Sequence, residues 1–151
     1  MNHTEIVTNT YKAKLSEIMK KIETNAFITP DIYSEYCFLL TELTNFISTD
    51  RFNIERKKIK QLTAEIEYWS MLKATWTGDK AITEAHISRC IEEKFIKERE
   101  ENKIQDEYVK MLETMAKSYR DYSFAMKYEL DTQNTQWKVD NGAMKYDDIM
   151  Q

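Results

Sequence analysis

One proline and two glycines are the only backbone-breaking residues in this 151-residue chain. Sandwiches and α/β folds turn sharply and often, and glycine and proline supply most of those turns. Their scarcity restricts the chain to few, long elements. Apolar residues recur at intervals of three and four, the period of a helix buried along one face. The expected fold class is all-α: a long antiparallel helical hairpin, coiled-coil-like, with a shorter N-terminal helix.

The first helix is expected over about 4–23, where Ile6, Tyr11, Leu15, Ile18, Met19 and Ile22 form one stripe. Asn25 tolerates the left-handed conformation common at helix ends, and Ala26-Phe27-Ile28 connects onward. Thr29-Pro30-Asp31 is a strong start signal. The threonine can accept from free amides, proline fits the first helical position, and aspartate opposes the positive helix end.

The second helix is expected over 30–76. Ser48-Thr49-Asp50 either interrupts it or lies within it; the lack of proline and glycine favours a continuous or gently kinked helix. Unbroken, it is roughly 70 Å long at about 1.5 Å per residue. Ile59, Leu62, Ile66, Trp69 and Trp76 alternate spacings of three and four, with Lys73 the polar exception, and form a narrow seam for packing or self-association.

Thr77-Gly78-Asp79-Lys80 is the main punctuation. Gly78 can adopt the left-handed conformation that closes a helix, and Thr83-Glu84 suits a new start. The third helix is expected over 83–132. Ile87, Ile91, Ile104, Tyr108, Met111, Leu112, Met115, Tyr119, Tyr122, Met126 and Leu130 trace its buried side. Tyr108, Met115 and Tyr122 extend the seam. Residues 97–103 contain no apolar side chain, which reads as a solvated arm with charge pairs four apart; a helix break or a partner contact is the other reading. From Gln133 the pattern is lost, so 1–132 is expected to be one helical domain and 133–151 a mobile tail carrying Gly142, Trp137, Met144, Tyr146, Ile149 and Met150.

Composition limits the function. Hydrophobic residues make up 42% and charged residues 32%, as in folded proteins. No apolar run reaches the roughly 20 residues needed to cross a bilayer, and the N-terminus lacks a signal-peptide pattern, so no membrane role is expected. Cys37 and Cys90 make no disulfide framework, and a cytoplasmic protein is expected (host cytoplasm, if phage-encoded). His86 and Cys90 are four apart on a helix, but the set of further nitrogen and sulfur donors is too small for a zinc site. There is no Gly-flanked serine, no phosphate loop and no Glu-x-x-His signature. A non-enzyme without metal or cofactor is expected.

The net charge of −4 gives no whole-protein case for nucleic acid, yet charge is unevenly placed. Residues 51–60 carry Arg51, Arg56, Lys57, Lys58 and Lys60 against Glu55 alone, whereas 92–107 hold seven acids and four bases. The basic run is either an ordinary solvated face or a phosphate-contacting patch that releases counterions from a nucleic-acid backbone. Phe52 and Tyr68 are placed to stack on bases, and are equally suited to a core.

Arg56 to Lys60, the aromatic pair Tyr68-Trp69, the turn Trp76-Thr77-Gly78-Asp79 and the closing string Arg120 to Lys127 together resemble the phage UvsY-type recombination mediators, over roughly residues 29–132. Those are small helical phage proteins that assemble into rings and help load a recombinase on single-stranded DNA. The resemblance implies that Arg56, Lys57, Lys58 and Lys60, with Lys73 less directly, contact single-stranded DNA. It also implies a homo-oligomer with a recombinase as partner. The first helix and the tail have no clear counterpart in that family, and the acidic third helix is more charged than the resemblance implies. The alternative expectation is a structural or protein-interaction scaffold, such as a virion component or an inhibitor, that does not bind DNA.

Overall fold

The computed structural model describes residues 3–25 and 28–142. The fold is all-α, with three helices and no strand among the described residues: α1 (His3–Asn25), α2 (Pro30–Thr75) and α3 (Glu84–Asp140). The connector residues Ala26 and Phe27, and the tail residues Met144, Tyr146, Ile149 and Met150, lie outside the described residues.

Both expected start signals work as caps. Thr29 Oγ1 accepts from the Ile32 amide at 3.2 Å, and Thr83 Oγ1 accepts from the His86 amide at 3.2 Å. Each satisfies an amide that the first turn leaves unpaired. α2 passes through Ser48-Thr49-Asp50 without interruption. α3 also runs unbroken through 97–103 and continues to Asp140, eight residues past the expected start of the tail. Its closing residue is Gly142, at φ 69°, whose amide donates to Val139 at 3.1 Å.

Gly78 plays a different part from the one expected. Gly142 is the positive-φ glycine of the described chain, so Gly78 does not close α2 by a left-handed turn. Instead the Trp76 indole lies over it, and a Cβ added to Gly78 would come within 2.5 Å of that ring. Glycine is needed there for space.

Contacts within the chain cluster in two compact units: Met1–Phe46 with Glu113–Gln151, and Ile47–Leu112. In the first, α1 packs with 30–46 of α2 and 113–140 of α3. Leu15, Ile18, Ile22, Ile28, Leu39, Leu40, Leu43 and Met126 are buried around Tyr36, which has no exposed surface. The Tyr36 hydroxyl donates to the Tyr119 carbonyl at 2.8 Å, and its ring lies 5.7 Å from that of Tyr122.

In the second unit, residues 47–75 of α2 and 84–112 of α3 run antiparallel. Lys57 meets Gln105, Gln61 meets Asn102, Glu65 meets Arg99 and Lys73 meets Glu84. Ile54, Ile87, Phe95, Val109 and Leu112 are buried, but much of the joining surface is polar. Residues 97–103 are therefore not simply a solvated arm, because Arg99 and Asn102 face α2.

Candidate nucleic-acid interface

The basic run lies on the α2 stretch of the second unit, and a helix turn of about 100° per residue distributes its cations around the cylinder. Two of them close on one carboxylate of α3. Arg51 Nη1 lies 2.5 Å and Lys58 Nζ 2.8 Å from Asp106 Oδ1, and Lys110 closes on the other oxygen at 3.0 Å. Hydrogen bonds from Lys58, Lys110 and Arg51 hold the Asp106 carboxyl well below the usual carboxylate range. The Asp106 and Glu55 carboxylates in turn raise the Lys58 ammonium above its ordinary value.

Arg56, Lys57 and Lys60 are all exposed, and of these Lys57 also reaches α3, donating to Gln105 at 3.2 Å. Among the described residues neither Arg56 nor Lys60 has an ion-pair partner. The Arg56 guanidinium is 5.9 Å from the exposed ring of Phe52, one turn earlier. Residues 56 and 60 are four apart, and 57 and 60 three apart, so the three cations share one side of the helix. Lys73 is separate: its Nζ sits 4.0 Å from the Trp69 ring and 3.5 Å from Glu84.

Of the five residues expected to contact DNA, then, three form an outward cluster. Lys58 is held by a buried acid and Lys73 is drawn onto an aromatic ring. Sequence spacing could not separate them, because Asp106 lies 48 residues from Lys58 along the chain.

Comparison with known protein families, with curated proteins and with solved structures finds no match for the chain.

The expected seam does not pack within the chain, which leaves it to its self-association reading. Ile59, Leu62 and Ile66 are 64%, 58% and 56% exposed, Trp76 is also exposed, and Trp69 is half-buried. The residues that face α3 are Ile54 and the immediate predecessors of the seam, Lys58, Gln61, Glu65 and Tyr68, one position earlier on the helix and so about 100° around it. On α3, Tyr108, Met115 and Tyr122 are half-buried, while Ile104 and Met111, expected on the buried side, are exposed. Smaller residues take the buried track instead: Val109, Ala116 and Ser123.

His86 and Cys90 approach to 3.6 Å on the exposed side of α3. No group of three potential ligands able to hold a metal occurs among the described residues, and no described helix is long and apolar enough to cross a membrane.

Proposed function

We propose that this chain is a non-catalytic, oligomeric single-stranded-DNA-binding accessory protein of phage recombination or replication, one that assists a recombinase. The observation that carries the reading is the outward cluster of Arg56, Lys57 and Lys60 beside the exposed Phe52 ring. Unpaired cations next to an aromatic ring suit a flexible strand, where phosphates take the charge and bases stack. Repetition of so small a cluster around an oligomer raises its avidity without new contacts. The resemblance to UvsY-type mediators adds the recombinase and the phage setting.

The test is a titration with single-stranded oligonucleotide across a range of salt. Three phosphate contacts per copy give a slope of log K against log salt of about −2. Arg56→Glu with Lys60→Glu abolishes binding and leaves the fold intact, since both side chains are exposed. Binding that does not respond to salt or to this double variant would sink the proposal. Lys58 is unsuitable for the test, because its loss disturbs the cluster around Asp106.

The exposed stripe Ile59, Leu62 and Ile66 favours a second reading, a protein-interaction scaffold without DNA binding. Partner capture insensitive to DNA distinguishes it.

A further inference from the structure

The α2 stretch of the second unit carries two seven-residue patterns side by side. One, Ile54-Lys58-Gln61-Glu65-Tyr68, faces α3 and is mostly polar. The other, Ile59-Leu62-Ile66-Trp69, is apolar and stays largely open to solvent. A groove of about 420 Å³ runs along the second pattern, between Leu62, Ile66 and Trp69 of α2 and Ile91 of α3. Continued outward, that pattern meets a charge at each end: Glu55 before Ile59 and Lys73 after Trp69. Both are also paired within the chain, Glu55 with Arg51 and Lys58 and Lys73 with Glu84, yet both side chains stay accessible, and their opposite signs argue for what covers the stripe.

We propose that the stripe is covered by the same stripe of a second copy, running antiparallel about a two-fold axis level with Ala64. In that arrangement residues whose numbers sum to 128 lie opposite one another. Leu62 meets Ile66, Ile59 meets Trp69, and Glu55 meets Lys73, each pair occurring twice by symmetry. The apolar layers are continuous and an opposite-charge pair closes each end. A parallel, in-line pairing instead places Glu55 on Glu55 and Lys73 on Lys73, which is repulsive at both ends. Near the axis each Glu65 approaches its counterpart, but its carboxylate is already paired with Arg99 of its own chain.

This inference deepens the assembly half of the proposed function and is independent of its DNA half. The experiment is sedimentation of the full chain without DNA. The intact protein is expected to be a dimer at micromolar concentration. Leu62→Glu with Ile66→Glu is expected to sediment as a monomer with unchanged helical circular dichroism, because both side chains are already exposed in the single chain. Glu55→Lys alone and Lys73→Glu alone each place two like-charge pairs at the ends, and weaken the dimer by about tenfold or more. Mixing those two variants restores pairing as a heterodimer, and combining both changes in one chain restores the homodimer. A monomeric intact protein, a dimer indifferent to Leu62→Glu with Ile66→Glu, or single variants that mixing does not rescue would each overturn the pairing. A dimer that follows this pattern but ignores single-stranded DNA supports the pairing while removing the DNA reading.

Discussion

Lys58 and Asp106 meet at 2.8 Å, 48 positions apart in the chain, and Arg51 and Lys110 converge on the same carboxylate. A carboxylate held by three cations is most favourable when ionised, so its protonation weakens the fold. The Asp106 pKa is lowered on folding. Its contribution is therefore full above the ordinary carboxylate value of 3.8 and is lost as pH falls below it towards the folded-state value. Thermal melts at decreasing pH are expected to show a falling Tm in that window. Asp106→Asn lowers Tm at neutral pH and flattens the acid limb; an unchanged limb would separate Asp106 from acid stability.

Tyr36 governs the alkaline side. Burial, reinforced by Tyr119 and Tyr122, pushes its hydroxyl pKa upward from 10.0. A raised pKa contributes stability that is intact below pH 10 and declines as pH rises through the folded-state value, because the unfolded chain ionises first. Tyr36→Phe removes this alkaline dependence. At neutral pH it also removes the hydrogen bond to Tyr119, which costs about 0.5–1.5 kcal/mol and lowers Tm by a few degrees.

Burial rather than residue size sets the cost of truncation. Leu43 is fully buried, so Leu43→Ala is expected to destabilise by about 2–5 kcal/mol. Ile104 is 66% exposed, and Ile104→Ala is expected to change stability by no more than about 0.5 kcal/mol. Urea midpoints of the two variants at low protein concentration provide the comparison. Equal losses would place Ile104 inside the fold.

At Gly78 the consequence is local. Trp76 Nε1 donates to the Lys80 carbonyl at 2.6 Å while its ring covers the glycine. Gly78→Ala pushes the indole away, breaks that bond and shifts its emission to longer wavelength, with a stability change below about 1 kcal/mol because Trp76 is already partly exposed. Trp76→Phe, examined in parallel, removes the emission component that moves.

The helices were legible because their signals are local. Thr29-Pro30-Asp31 and Thr83 act through the first turn, and the lack of breakers within 30–75 left no place for an interruption. Gln133 to Asp140 continue α3 beyond the expected end of the third helix without an apolar stripe, because helical backbone bonding needs none. The faces were read less well. Periodicity registers large apolar residues, so it selected Ile59-Leu62-Ile66 and Ile104-Met111. The chain buries the adjacent polar track on α2, and Val109, Ala116 and Ser123 on α3. The candidate site was half-legible for the same reason: Arg56, Lys57 and Lys60 form a visible run, but the acid that draws Lys58 inward lies on another helix.

Within the second unit, the polar joining surface between α2 and α3 restricts which residues may be neighbours. Lys58 opposite Asp106 and Glu65 opposite Arg99 share one alignment, with residue numbers summing to 164 in both pairs. Sliding α3 by seven residues in one direction sets Lys58 against Arg99 and Glu65 against Glu92. Sliding it the other way sets Glu65 against Asp106. An apolar interface would tolerate either slip with little penalty. Here each misalignment brings like charges together at Glu65, so the polar contacts favour the observed setting and hold the apolar stripe beside it in one place.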